Sequence, residues 1–166
     1  MRHQEKKYRV DGFKPIITRL RSLRIDPLES STSTHYYAHQ PGSDVTKIVQ
    51  HADGTAIHIL SEASGKFTLR ENITVQNLPT GEAWLKDHGF NTISAVKMSH
   101  TDYEYKQGLV GLYLINDWLY SVILDYPDGQ HKSIERDFGL ENAEVISLPY
   151  NKYLENLGKL EAVNLT

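Results

Sequence analysis

The sequence has no cysteine and no long hydrophobic run. Without cysteine there are no disulfides, thiolate nucleophiles, iron–sulfur clusters or zinc sites with cysteine ligands. No apolar stretch reaches the roughly 20 residues that a membrane-spanning helix needs. The charged residues 1–7 are not followed by an apolar segment, so we expect no secretory signal and a cytoplasmic location.

An excess of one sign of charge is also missing. The 166 residues include 18 lysines and arginines and 21 aspartates and glutamates, which gives a formal net charge of −3. We therefore expect no bulk attraction to nucleic acid or to an anionic membrane surface. Hydrophobic residues make up 39% and charged residues 23% of the chain, a composition that predicts one folded globular domain over residues 1–166.

The chain does have many short alternating segments, separated by turn residues such as Asp53-Gly54 and Asn116-Asp117. Many short strands with few helices predict an α+β fold: an eight- or nine-stranded antiparallel barrel (a tunnel), or else a sandwich, with a few flanking helices. The predicted strands cover residues 3–10, 34–39, 45–51, 55–61, 66–75, 92–99, 103–106, 109–115 and 118–126. The predicted helices cover residues 13–23, 80–88, 130–138 and 150–157, with Thr80 as the N-cap of the second.

Charged side chains recur at alternate positions of several predicted strands. Alternation alone is typical of a strand with one face in water. If the strands close into a barrel, however, half of their side chains point inward, where unpaired ions are costly. Lysine and arginine would then neutralise phosphates, and carboxylates would hold a hard divalent cation, commonly Mg²⁺. The charged strand residues are Glu5, Lys7, Arg9, Lys47, Lys66, Arg70, Lys97 and Asp125.

The first strand resembles the opening strand of the CYTH superfamily, also called triphosphate tunnel metalloenzymes. That strand carries Glu-x-Glu-x-Lys, and the three positions are His3, Glu5 and Lys7 in this sequence. The order of the later motifs is similar over residues 3–157. The matching segments are His35-Tyr36-Tyr37, Lys47, Ala52-Asp53-Gly54, Arg70-Glu71, Gly89-Phe90, Val96-Lys97, Asp125 and Pro149-Tyr150.

The sequence departs from the family pattern at several charged positions. His3 stands in place of the first glutamate, and the strands of Lys47 and Lys97 each lack an arginine. The closing strand keeps one acid, Asp125. Because fold does not fix function, two interpretations stay open: an active enzyme, and a binding module with the same fold.

The resemblance implies a divalent-metal-dependent phosphohydrolase, or a cyclase, that acts on a triphosphate-containing substrate. The alternative is a catalytically inactive CYTH-like module that binds a phosphorylated ligand or a protein partner. The implied cofactor is Mg²⁺ or Mn²⁺, the implied partner is a small phosphorylated substrate, and a homodimer is possible. The implied catalytic residues are Glu5, Lys7 and Lys97, the substrate-binding residues are Lys47, Lys66 and Arg70, and the metal ligands are Glu5 and Asp125.

Overall fold

The computed structural model describes residues 3–64 and 66–166, and of Lys66 it describes the backbone only. That part of the chain has ten strands and four helices, and the described strand pairs are antiparallel, which confirms the predicted α+β class. The strands are β1 (His3–Val10), β2 (Glu29–Ala38), β3 (Val45–His51), β4 (Gly54–Ala63), β5 (Lys66–Val75), β6 (Thr92–Tyr105), β7 (Gly108–Ile115), β8 (Leu119–Pro127), β9 (Glu144–Ile146) and β10 (Val163–Asn164). The helices are α1 (Lys14–Ser22), α2 (Leu78–Asp87), α3 (His131–Phe138) and α4 (Tyr150–Asn156).

The strand count in the described residues is ten, not eight or nine. Residues 92–99 and 103–106, predicted as separate strands, belong to the single 14-residue strand β6. The additional strands β9 and β10 have three and two residues. Such short segments carry no alternating pattern, because alternation becomes visible only over about four residues or more.

The chain divides into two compact units, each made of two separate stretches. The first unit comprises the chain up to Ser31 together with Met98–Ser147, and the second comprises Thr32–Lys97 and Leu148–Thr166. The single domain expected over residues 1–166 stays a prediction. None of the helices in the described part of the chain is long and apolar enough to cross a membrane.

The apolar core of the first unit lies on one face of its sheet, which has the strand order β6-β7-β8-β1-β9. Alternate residues of the strands point to this face, and α1 and α3 pack against it with apolar residues at helical spacing. The core includes Tyr8, Tyr103, Val110, Leu112, Val122, Leu124 and Tyr126 from the strands, Ile16 and Leu20 from α1, and Ile134 and Phe138 from α3.

A buried carboxylate, that of Glu135, attaches α3 to β1. It accepts hydrogen bonds from the Lys6 ammonium group and from the Tyr8 hydroxyl. Burial alone would raise the pKa of Glu135, but the two hydrogen bonds outweigh it and hold this pKa below its usual range. Burial and the bond to Glu135 raise the pKa of Tyr8 far above its ordinary value, so the Tyr8 hydroxyl remains a donor.

Replacing Glu135 by glutamine is expected to lower the free energy of unfolding at pH 7 by about 2 kcal/mol, because a hydrogen bond to a charged acceptor contributes about 1.5–3 kcal/mol. A carboxylate with a lowered pKa stabilises the fold above its unfolded-state pKa and loses this contribution as pH falls through its folded-state value. The difference in free energy of unfolding between Glu135→Gln and wild type should therefore be largest at neutral pH and decrease below pH 4.5. Urea unfolding measures it, with the exposed Glu141→Gln as control. Equal midpoints at pH 7 would contradict the expectation.

The second unit has its own core, on one face of the strand order β5-β4-β3-β2-β6, with β10 paired to β6. Helix α2 covers this face. Gly81 of α2 allows a close approach, since a Cβ there would lie 3.1 Å from Ile48 Cδ1. The buried members of the core are Ala38, Ile48, Ile57, Leu85 and Ile93.

Helix α2 begins earlier than the sequence predicts. The N-cap is Asn77, whose Oδ1 accepts a hydrogen bond of 2.9 Å from the Thr80 backbone amide. The prediction of Thr80 as the N-cap is therefore wrong. Pro79 lies in the first turn, where its missing amide hydrogen leaves no helical hydrogen bond unmade.

Candidate functional site

One face of the first unit's sheet carries the charged residues of β1 and β8. Glu5 pairs directly with Asp125, and Lys7 pairs with Ile123. Directly opposed residues of an antiparallel pair share a face, so Glu5, Lys7 and Asp125 lie together, on the face opposite the apolar core. The same face, called the polar face below, also carries His100 and Asp102 on β6 and Tyr113 on β7.

The ammonium group of Lys7 is half-buried on the polar face. Burial lowers the pKa of Lys7 to about 8, and the neighbouring Glu5 carboxylate acts in the opposite direction. An anion beside a buried amine favours its protonated form. Lys7 is therefore suited to contact a bound anion such as a phosphate group.

Two carboxylates of the polar face, those of Glu5 and Asp125, lie on directly opposed residues of β1 and β8. Among residues 3–64 and 66–166, no group of three His, Asp or Glu side chains is arranged to hold a metal ion. Mg²⁺ is commonly held by one or two carboxylates, with water and substrate phosphates as its other ligands. Glu5 and Asp125 therefore fit a divalent cation whose coordination the substrate completes. His3 lies beside this pair, with its Nδ1 3.5 Å from Asp125 Oδ1.

A second cluster on the polar face consists of His100, Asp102 and Tyr113. The His100 Nε2 atom lies 3.5 Å from Asp102 Oδ2. The imidazole stacks on the Tyr113 ring, with a centroid distance of 4.8 Å and an interplanar angle of 7°. Burial raises the pKa of Asp102, Glu29 and Asp125 raise it further, and only His100 lowers it.

His100 and Asp102 are not identified as site residues by the sequence alone. The sequence pattern that could have identified them is the alternation of side chains along β6. Val96 and Met98 are buried, and His100 and Asp102 follow them on the same side of the strand. Reading that alternation requires β6 to be one strand, whereas residues 100–102 look like a polar loop in the sequence. The register of β6 with β7, which makes the strand continuous there, is a property of the folded sheet.

In the second unit, Lys47 lies on the sheet face opposite the core. It pairs with Tyr37 on β2 and with His58 on β4. The Lys47 Nζ atom lies 5.1 Å from the centroid of the Tyr37 ring, a cation–π contact. Burial lowers the pKa of His58, and Lys47 and His51 lower it further. The Lys47 amine and the imidazoles of His58 and His51 therefore lie close enough on this face to interact electrostatically.

Replacing Lys47 by methionine is expected to raise the pKa of His58 toward its ordinary value, because one of its two positive neighbours is removed. Burial and His51 remain, so the recovery should be partial. An NMR titration of the His58 imidazole measures the change, and the exposed Lys86→Met on α2 serves as control. An unchanged His58 titration in Lys47→Met would show that the two side chains do not interact as described.

The other predicted site residues of the second unit are placed differently. Arg70 is exposed at an irregularity of β5, where Ile59 pairs with Glu71 and Leu60 with Leu69. Its Nε atom donates a hydrogen bond of 2.6 Å to Ser61 Oγ. Lys97 is exposed, whereas its neighbour Val96 is buried. The side chain of Lys66 lies outside the described residues.

The structure thus brings Glu5, Lys7 and Asp125 together on one face of the first unit. It adds His100 and Asp102 to that face. The functional roles of all predicted site residues, including Lys47, Arg70 and Lys97, stay predictions.

Comparison with known proteins gives matches of structure only. No family model matches the chain, and no curated protein matches it in sequence. PH1012 from Pyrococcus horikoshii OT3 is 15% identical with a TM-score of 0.73, and the match covers 90% of this chain and 97% of that one. A proposed adenylate cyclase from Vibrio parahaemolyticus is 12% identical with a TM-score of 0.65, over 92% and 97% of the two chains.

A third match is HpAC1 from Hippeastrum, a proposed adenylyl cyclase described with a dominant triphosphatase activity. It is 11% identical, with a TM-score of 0.60 over 97% of this chain and 98% of that one. The chain shares the fold of these three proteins. The likeness extends over nearly the whole of each chain, in agreement with the resemblance that the sequence shows over residues 3–157. At these identities a shared fold is what the matches establish, and function has to be argued from the site.

Proposed function

We propose that the protein hydrolyses a triphosphate-containing substrate with the help of a divalent cation. The observation that carries this proposal is the direct pairing of Glu5 with Asp125, beside the half-buried Lys7, on the polar face. Two carboxylates next to a buried amine match the needs of a metal–phosphate complex, which presents positive and negative charge side by side. The triphosphatase activity described for HpAC1, which shares the fold, supports the same reaction class.

Each of the proposed site residues would bind the group of opposite charge. Lys7 would bind a phosphoryl oxygen, and the anion would keep the amine protonated. Glu5 and Asp125 would hold the cation, which when bound offsets negative charge on the phosphoryl oxygens. These residues would orient the phosphoryl group for attack by water and stabilise the charge that develops on it. In the second unit, Lys47 is proposed to bind phosphate.

A cyclase would use the same groups with a different nucleophile, the 3′-hydroxyl of a nucleotide ribose. The name of the Vibrio parahaemolyticus protein points to that reaction for the relative. Hydrolysis would require only the phosphate and metal contacts that we propose for the polar face. For that reason we propose hydrolysis as the reaction of this protein.

The test is phosphate release from tripolyphosphate, ATP and thiamine triphosphate, each with Mg²⁺ and with EDTA. The proposal expects release above the protein-free blank from at least one compound, and loss of that release with EDTA. Mn²⁺ should substitute for Mg²⁺, because both take oxygen ligands. No release from any of the three compounds, with either cation, would overturn the proposal.

A second candidate is a binding module without catalysis. It is favoured by one observation: the described residues contain no group of three metal-ligating side chains, while phosphoryl transfer commonly uses several oxygen ligands. Calorimetric titration with tripolyphosphate separates the candidates. Tight binding without any phosphate release identifies the module, and binding accompanied by release identifies the enzyme.

A further inference from the structure

We propose that His100, oriented by Asp102, is the general base that removes a proton from the attacking water. This inference rests on the proposed hydrolysis and adds to it a catalytic residue and a positioning residue. Both lie on the polar face that carries Glu5, Lys7 and Asp125.

The geometry is that of an imidazole beside a carboxylate. His100 Nε2 and Asp102 Oδ2 are 3.5 Å apart, and the two side chains are 21% and 19% exposed. Water therefore reaches the pair, while most of its surface is shielded. A carboxylate beside one ring nitrogen favours the tautomer with its proton there, which leaves the other nitrogen to accept a proton. In this pair the Asp102 carboxylate favours the tautomer with the proton on His100 Nε2. The atom that accepts a proton from water would therefore be His100 Nδ1.

The pair is held in place from β7. The parallel stack on Tyr113 limits rotation of the His100 ring. Gly111, which pairs with Asp102, leaves room above its backbone. A Cβ at Gly111 would lie 2.9 Å from Asp102 Oδ1 and 2.7 Å from Tyr113 Cε1. The absence of a side chain at Gly111 therefore allows both neighbours to lie over β7.

Tyr113 lies on the polar face between the pair and β8, opposite His100 on one side and Ser121 on the other. Burial raises the pKa of Tyr113 far above its ordinary value, and Asp102, Glu5 and Asp125 raise it further. The Tyr113 hydroxyl thus lies within electrostatic reach of all three carboxylates. The groups that act electrostatically on Asp102 or Tyr113 are His100 on β6, Glu29 on β2, Asp125 on β8 and Glu5 on β1. Lys7 and Arg9 lie on the same face of β1 as Glu5, and Arg9 is in the cross-strand row of Ser121, Tyr113 and His100.

The proton transfer completes a balanced hydrolysis step. The water oxygen forms a bond to phosphorus as the bond from phosphorus to the bridging oxygen breaks. The electron pair of that bond leaves with the bridging oxygen, and the water proton passes to His100 Nδ1. The imidazolium then returns the proton to the leaving oxygen or to solvent. A positioned general base contributes about 10²- to 10⁴-fold to such a rate.

The experiment measures phosphate release from tripolyphosphate between about pH 5 and pH 9, for wild type, His100→Gln and Asp102→Asn. His88→Gln is the matched control, because this exposed histidine at the end of α2 has its Nδ1 2.7 Å from the Trp84 carbonyl oxygen of the same helix. The wild-type rate should rise with pH, because a general base acts only in its unprotonated form. Circular dichroism checks folding, and His100→Asn replaces His100→Gln if that variant does not fold.

In His100→Gln we expect kcat to fall by about 100-fold or more, while KM stays within about threefold of wild type. The decrease in rate toward acidic pH that wild type shows should also be lost in this variant. Asp102→Asn should keep the decrease in rate toward acidic pH but shift it along the pH axis. Its kcat should fall less than that of His100→Gln, as expected for a positioning residue. A His100→Gln variant with the wild-type rate and pH profile overturns the inference while the proposed hydrolysis stands. Absence of release in the wild type overturns both.

Discussion

Replacing Glu5 by glutamine is expected to lower Mg²⁺-dependent phosphate release by about 100-fold or more. The variant keeps the size of the side chain and loses its charge, so Asp125 becomes the only carboxylate of the directly opposed pair. A factor of 100 corresponds to about 2.7 kcal/mol of transition-state stabilisation, within the several kcal/mol that a correctly held cation supplies. Asp125→Asn should have an effect of similar size, because the two residues would serve the same cation.

The double variant makes this prediction sharper. If Glu5 and Asp125 hold one cation, losing both should cost little more than losing either, since residues that act together are not additive. The measurement is the rate of phosphate release against Mg²⁺ concentration, with Glu155→Gln on the exposed surface of α4 as control. A Glu5→Gln variant whose rate and Mg²⁺ midpoint stay within about threefold of wild type would exclude this role for Glu5.

The parts of the fold that the sequence predicts well depend on local chemistry. Asp53-Gly54 predicts a hairpin, and β3 and β4 are joined there, with His51 paired to Gly54. Asn116-Asp117 predicts a tight turn, and both residues have positive φ angles, 51° and 63°, as a type I′ turn between β7 and β8 requires. The shared face of Glu5 and Lys7 follows from the two-residue period of a strand. Each of these features is decided within a few residues of the chain.

The features that the sequence does not predict depend on distant pairing. β6 continues through Ser99 and Asp102 because β7 supplies hydrogen-bond partners for this polar segment. The direct pairing of Glu5 with Asp125 is also a matter of register between strands that are far apart in the chain. Alternation fixes which face a residue occupies only after the strand is known, and a shift by one residue would reverse every assignment. Glu5, Lys7 and Asp125 were therefore predictable as candidates by residue type, whereas their arrangement and the presence of His100 and Asp102 on the same face were not.

Gly108→Ala is expected to be the most destabilising small substitution in the first unit, with a loss of about 3 kcal/mol or more. A Cβ at this position would lie 2.4 Å from Cδ1 and Cε1 of Tyr126 and 2.5 Å from the backbone oxygen of Asp125. The Tyr126 ring is fully buried, and its hydroxyl donates a hydrogen bond of 2.7 Å to the Tyr105 carbonyl oxygen. Neither the anchored ring nor the β8 backbone yields easily, and overpacking a tight core costs about 1–3 kcal/mol or occasionally more.

Thermal unfolding of Gly108→Ala should show a Tm lower by about 6–12 °C, because 1 kcal/mol shifts Tm by about 2–4 °C in a chain of this size. Gly12→Ala and Gly54→Ala are the matched controls, since a Cβ at either position meets nothing within 4 Å. Both controls should stay within about 2 °C of wild type, as expected for substitutions that add no clash.

The displaced β8 backbone carries Asp125, so Gly108→Ala should also weaken Mg²⁺-dependent activity below its unfolding temperature. A Gly108→Ala protein as stable as the two controls would mean that β7 and β8 can separate there without loss, contrary to the packing described for Tyr126.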